Sequence, residues 1–221
     1  MLLNFWLYSL SGIALYLLVG PLIKLWIGPE FLMGQFTLLM VMLAFYERGM
    51  RNSISMVKVT AGIFHEDRFA PLLQGALNLL LSFLLVRYWG IAGIFIGTLT
   101  SALLVLFWTT PYLVYKKVFH QPLRRYYQRY VIYTAIGIAA YCAAHAVNSL
   151  IPDGSFGWLA LKAAACLLVV NLMYTAVFFR TPEFKYLLGI AASLLGKIPQ
   201  LRALAQKRSG RRTKLEIGGN K

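Results

Sequence analysis

PLLQGALNLLLSFLLVRYWGIAGIFIGTLTS, residues Pro71 to Ser101, decides the fold: it reads as two apolar helices joined at a glycine turn. Gln74, Asn78 and Ser82 recur every four residues, so they lie along one side of the first helix while leucine, alanine and phenylalanine occupy the rest. Amides and a hydroxyl in line are poor company for lipid. Gly93, Gly97 and Ser101 repeat the same spacing on the second helix, where small residues let a neighbouring backbone approach and packing replaces the hydrophobic drive that lipid does not supply. The hairpin therefore packs on partners and offers a polar seam.

Composition extends this reading to the whole chain. Hydrophobic residues make up 59% and the mean hydropathy is +0.66, above the roughly 45–50% apolar content of ordinary soluble domains. Six stretches come near the ~20 residues that a membrane-crossing helix needs: 5–27, 35–56, 72–89, 91–115, 130–151 and 158–179. The fold class expected is an all-α integral membrane bundle, with residues 1–180 forming the six-helix region and 181–221 an amphipathic interfacial helix and a basic tail. Glu47, Arg48, Arg51 and Asn52 interrupt the inner half of the second stretch.

A net charge of +15 in a soluble protein would point to nucleic acid, so the position of the charges matters. Of 22 Lys and Arg, four lie between Arg48 and Arg68, five between Lys116 and Arg129, and ten from Arg180 onward. Only Lys24, Arg87 and Lys162 fall elsewhere. Six spans place the 19 on one face, which the positive-inside tendency makes cytoplasmic, with both termini inside. The amphipathic segment from Glu183 to about Leu204 carries Leu187, Leu188, Ala191, Leu194, Leu195 and Ile198 on one side, with Pro199 bending or ending it. KRSGRRTK, Lys207 to Lys214, follows it, and anionic lipid rather than nucleic acid is the expected partner. The start lacks the basic region of a cleavable signal peptide, so the first helix is expected to stay.

Conventional catalysis finds little to work with. None of the seven acids forms a carboxylate pair within a span, the three histidines have no second ligand at metal spacing, and no phosphate-cradling glycine loop precedes a helix. No enzyme activity, cofactor or metal is expected. His145, at membrane depth, is open to two readings: a proton relay, or a neutral ring bonded to a backbone carbonyl. Cys142 and Cys166 read as small buried residues at helix contacts.

The strongest chemical signal is Glu47, Arg48, Arg51 and Asn52, because an ionisable side chain in lipid costs on the order of 3 kcal/mol. Glu47 and Arg51 stand one helical turn apart with the acid first, the spacing of an internal ion pair. Arg48 has no such partner. A guanidinium in a wet cavity suits bidentate binding of phosphate oxygens, which makes Arg48 and Arg51 candidate anion-binding residues.

PLIKLWIGPEF (Pro21–Phe31), then an apolar helix, then the helix of Gln74 and Asn78 running into WGIAGIFIGTLTS (Trp89–Ser101), resembles the C-terminal part of bacterial polysaccharide flippases of the O-antigen transporter type. These belong to the multidrug, oligosaccharidyl-lipid and polysaccharide exporter superfamily. The resemblance covers roughly residues 5–115. It implies a translocator in the bacterial inner membrane that moves an undecaprenyl pyrophosphate-linked oligosaccharide for surface polysaccharide (lipopolysaccharide) synthesis. It also implies a substrate-lining set of Arg48, Arg51, Gln74, Asn78 and Ser82, the arginines for pyrophosphate and the others for sugar. The competing reading of the stripe is hydrogen bonding between helices. Gly90 and Gly93 would form the tight turn, with Gly97 a packing face. Complete members of the family have two related lobes with the substrate between them, whereas this chain reads as a part of one. A fragment or truncated product is expected ahead of an assembly of two chains. Two other classes stay open: a small structural or partner-binding membrane protein, and an integral membrane enzyme, the latter opposed by the missing acidic pairs.

Overall fold

The computed structural model describes residues 1–152, 154–190 and 193, and every regular element among them is helical. The chain divides into two compact units, Met1–Thr175 and Ala176–Lys221. In the described residues up to 178 the α-helices are, in order, α1 (Leu2–Trp26), α2 (Gln35–Thr60), α3 (Ala70–Trp89), α4 (Ile91–Leu104), α5 (Leu106–Val114), α6 (Arg124–Ser149) and α7 (Phe156–Phe178). A short 3-10 turn, Pro29–Phe31, joins α1 to α2, and a π-helical turn, Tyr115–Phe119, extends α5.

Among the described residues, five helical segments are long and apolar enough to cross a membrane: Leu2–Trp26, Ala70–Trp89, Ile91–Phe119, Arg124–Ser149 and Phe156–Phe178. The six expected spans differ at α2, which has the length, 26 residues, but carries Glu47, Arg48, Arg51 and Lys58. The fourth expected span, 91–115, runs on to Phe119 and breaks at Val105, whose φ of −112° and ψ of −76° separate α4 from α5. The fifth helix begins earlier than the expected span, at Arg124 rather than 130, and Tyr126 of this added length is buried against Ile54 and Val114 while Arg124, Arg125 and Arg129 stay exposed.

The helices run up and down. Ile54 near the end of α2, Val114 at the end of α5 and Tyr126 at the start of α6 form a buried cluster, with Met1, Val57, Tyr115 and Leu123 against it. Phe36 at the start of α2 meets Trp89 at the end of α3, ring centroids 6.1 Å apart, at the opposite end. Alternation of direction follows from the short connections, the tightest being Gly90, which closes α3 and opens α4 at φ 54° and ψ −136°, a conformation that strains any residue with a Cβ.

Within the first unit, the basic residues of the 61–69 loop, the π turn and the start of α6 gather at the Met1 end. The 61–69 loop between α2 and α3 is tied there by Lys58 to Asp67 and by Lys117 of the π turn to Glu66. Lys117, donating to the exposed Glu66 carboxylate, is the main reason that this carboxyl lies below its ordinary value of 4.5. A lowered acid stabilises the fold above its unfolded value and loses that contribution as pH falls through the folded one. Wild type is thus expected to outlast Glu66→Gln in thermal unfolding at pH 7, with the gap closing as pH drops below about 4.5; a gap independent of pH would count against the pair.

Proline in a membrane helix leaves a carbonyl without its helical donor. Pro111 does this to Phe107 in α5, and the Tyr127 hydroxyl of α6 donates to that carbonyl at 3.0 Å. Tyr127 also packs on Phe107 and Trp108, so one side chain both satisfies the orphaned carbonyl and ties α6 to α5. Along α6, Gly137, Ala140 and Ala144 form a buried small-residue face. Cys166 is buried but Cys142 is exposed, a correction to the reading of both as helix contacts: Cys142 lies off the buried face of α6.

In the second unit, residues 182–190 are helical, with Tyr186, Leu188 and Ile190 exposed. Most of the expected amphipathic run, including Leu194, Leu195, Ile198 and Pro199, and the basic tail Lys207–Lys214 lie outside the described residues.

Candidate functional site

The charged half of α2 is built around one ion pair. Arg51 donates from Nε to Glu47 Oε1 at 2.7 Å and from Nη2 to Oε2 at 3.3 Å. The two side chains are 14% and 6% exposed, so the pair faces protein. Helix α1 covers the adjoining turn: Asn4 Nδ2 donates to the Gly49 carbonyl at 3.1 Å, and the Tyr8 ring lies where a Cβ on Gly49 would stand. On the α6 side, Tyr46 shares a 3.0 Å hydrogen bond with Thr134, and Tyr126 and Tyr130 sit within the field of both charges. Arg48, one residue along and so about 100° around the helix, is exposed.

The polar stripe of α3 turns toward α4. Asn78 Oδ1 accepts from Ser82 at 3.1 Å and from Thr98 of α4 at 3.2 Å, while Ser82 also reaches the Ile94 carbonyl at 3.3 Å. Gly93 and Gly97 are the reason the helices come so near. A Cβ on Gly93 would lie 2.3 Å from the Leu85 carbonyl oxygen, and one on Gly97 2.5 Å from Ser82 Oγ. Ser101 is fully buried and donates to the Thr98 carbonyl of its own helix at 3.0 Å. Gln74 is half-buried nearer the Met1 end. Polar contacts of this type between membrane helices average about 0.6 kcal/mol, up to about 1.7. The Ile94 carbonyl is a second acceptor for both hydroxyls, 2.9 Å from Thr98 and 3.3 Å from Ser82, so Asn78→Ala removes one acceptor from each and is expected to lower stability in detergent by about 1 kcal/mol, with Thr98→Val non-additive to it; strictly additive losses would show that the two residues do not interact.

Three of the five candidate substrate residues thus fall into two groups. Asn78 and Ser82 are brought together with Thr98 in the α3–α4 seam, and Arg51 is brought to Glu47 beside α6. Arg48 and Gln74 belong to neither group, and helix α4 packs on both α2 and α3.

A cavity of about 350 Å³ between α1, α2 and α6 was not legible in the sequence. Its hydroxyl-bearing walls include Tyr8, Tyr16, Tyr46, Thr134 and Tyr141, on an otherwise apolar surface. Nearby, Ser9 and Tyr174 share a 2.5 Å hydrogen bond and Trp6 donates to Asn171 at 2.9 Å, joining α1 to α7. Asn171 and Thr134, polar residues in the midst of apolar helices, were the available signals. His145 is exposed and packs edge-on to Tyr141 at 5.8 Å. No group of three or more metal-ligating side chains forms among the described residues.

Compared with known proteins, the chain matches no family model, no curated protein and no solved structure. What it is rests on its own residues: several apolar helices in a multi-pass, membrane-type bundle.

Proposed function

We propose that this chain is the C-terminal portion of a transporter that flips undecaprenyl pyrophosphate-linked oligosaccharide across the bacterial inner membrane for surface polysaccharide synthesis. The order of motifs from Pro21 to Ser101 carries the reading. Support comes from an up-and-down bundle whose loop cations gather at the Met1 end. In this proposal α2 is a sixth span, since its pair of ions is internal and its 26 residues match its neighbours in length. The basic end is then cytoplasmic, with both termini there. Exposed Arg48 draws the pyrophosphate, Arg51 is held by Glu47 as part of the wall, and Gln74 reaches sugar, the sugar and phosphate contacts being completed by a further lobe. The chain acts without a cofactor and catalyses no covalent step, and the basic tail rests on anionic lipid.

A second reading, a membrane protein that serves as a structural or partner-binding component, is favoured by the hydrogen bonds that Asn78 and Ser82 make within their own hairpin. One experiment separates them. Deletion of the gene from its bacterium is expected to abolish surface glycan and to leave lipid-linked repeat units on the cytoplasmic face, with restoration by the wild-type gene and poor restoration by Arg48→Ala. Unchanged export after deletion would remove the flippase reading, and full rescue by Arg48→Ala would remove its anion site.

A further inference from the structure

The cavity of about 350 Å³ between α1, α2 and α6 has no part in the flippase reading. Helix α1 packs on both neighbours and forms the floor with Tyr8, Gly12, Ile13 and Tyr16. One side is the apolar half of α2, from Leu39 to Tyr46, ahead of the charges; the other is the stretch of α6 from Thr134 to Tyr141. Both ends are closed. Toward Met1, Tyr46 and Thr134 share their 3.0 Å hydrogen bond across the slot, and at the far end the rings of Tyr16 and Tyr141 meet edge-on at 5.6 Å. Leu39, Leu43 and Ile138, which are 38%, 40% and 60% exposed, mark the open side.

From Tyr8 to Tyr16 is about 12 Å of helix. A void of about 350 Å³ spread over that length is narrower than an α-helix with its side chains, about 10–12 Å across, so a further helix does not fit. Water does not suit it either. A buried water needs about three polar partners, and the hydroxyls of Ser9, Tyr46 and Thr134 are already bonded within the protein. What remains is leucine, isoleucine, methionine and ring surface, midway along the apolar lengths of α1 and α6. Left empty, such a surface forfeits its dispersion contacts. Gly12 is what opens the floor, since a Cβ there would meet only a Phe45 ring carbon, at 3.9 Å.

We propose that this slot binds one acyl chain of a bilayer phospholipid, which enters between Leu43 and Ile138 and lies along α1 from the Tyr46–Thr134 end to the Tyr16–Tyr141 end. The chain fills the void as a core side chain would, against Ile13, Met42 and the tyrosine rings. Recognition is by shape and apolar contact, and the headgroup stays outside in the interface. The site rests on the helical bundle alone, so it stands or falls separately from the flippase reading.

The test uses the full chain in detergent, titrated with phosphatidylcholine and followed by native mass spectrometry. One lipid per chain is expected to be held after the others have been stripped. Gly12→Leu fills the slot from its floor and should weaken retention about tenfold, the worth of about two buried methylenes, with a thermal midpoint in lipid-free detergent no lower than that of wild type. Gly75→Leu, on α3 where a Cβ meets nothing within 4 Å, should leave retention unchanged. If Gly12→Leu fails to fold, Ile138→Trp blocks the open side from an exposed position and should give the same loss. Phosphatidylglycerol with the same chains should be held equally well. Absence of a retained lipid in wild type, retention indifferent to both substitutions, or a tenfold preference for one headgroup overturns the proposal. So does a dimer that Gly12→Leu dissociates, which would assign the slot to a second copy of the chain.

Discussion

Gly97→Leu is expected to break open the α3–α4 hairpin. The added Cβ alone would stand 2.5 Å from Ser82 Oγ and 2.7 Å from the Ser82 backbone nitrogen, and the remaining side-chain atoms have nowhere to go but into α3. Backbone cannot swing aside as the end of a flexible side chain does, so the two helices must separate. Overpacking costs about 1–3 kcal/mol and at times more; here the loss of the Asn78–Thr98 bond is added, which puts the variant at or above the upper end. Gly93→Ala meets the Leu85 carbonyl at 2.3 Å and should behave alike. Gly75 supplies the control, since a Cβ there meets nothing within 4 Å and alanine is the better helix former by about 1 kcal/mol. Thermal unfolding in detergent should therefore rank Gly75→Ala at or above wild type and Gly97→Leu far below. Equal midpoints for the two would show that the hairpin is not closely packed.

Glu47→Ala should be the other severe substitution. It leaves the Arg51 guanidinium, 14% exposed, without its carboxylate, and stranding one partner of a buried pair costs about 3–5 kcal/mol. Arg51→Leu is expected to do the same to Glu47. The pair itself is another matter: Glu47→Met with Arg51→Leu replaces two desolvated charges by apolar volume, an exchange that is often neutral. The double variant should recover most of the stability lost by either single one, giving a coupling of several kcal/mol of the sign that marks direct contact. Additive losses would mean that the two side chains do not hold each other. The same variant bears on function, because a stable double variant that restores surface glycan would assign the pair to the wall alone.

How much of this was legible depends on how far apart in the chain the partners lie. Glu47 and Arg51 are four residues apart, and helix geometry alone puts them together. The glycine spacing of Gly93 and Gly97 marked a face for close approach by the same local rule. Asn78, by contrast, has its partner twenty residues away in Thr98, and its stripe fits a sugar-binding wall and a helix seam equally well until α4 is in place. Tyr127 is twenty residues from the Phe107 carbonyl that it satisfies; Pro111 advertised an orphaned carbonyl without saying which hydroxyl would reach it. Ser9 and Tyr174 are 165 residues apart, beyond any periodic pattern. The cavity between α1, α2 and α6 was illegible for the same reason, as it is walled by three separate segments.

The amino-acid sequence by itself determined that the chain is a set of apolar helices for a membrane, where the turns fall, where its basic residues lie and which turn of α2 carries an ion pair. Hydropathy, periodicity and i, i+4 spacing act over a few residues, so those features survive any arrangement of the helices. Tertiary structure alone decided that Asn78 and Ser82 of α3 bond into the seam with α4, that Tyr130 of α6 packs on Tyr46 beside the α2 charges, and that Lys24 and Lys162 line one cavity. Such facts depend on which helix faces which, and between membrane helices that choice rests on close packing and isolated hydrogen bonds, which leave no local mark in the chain.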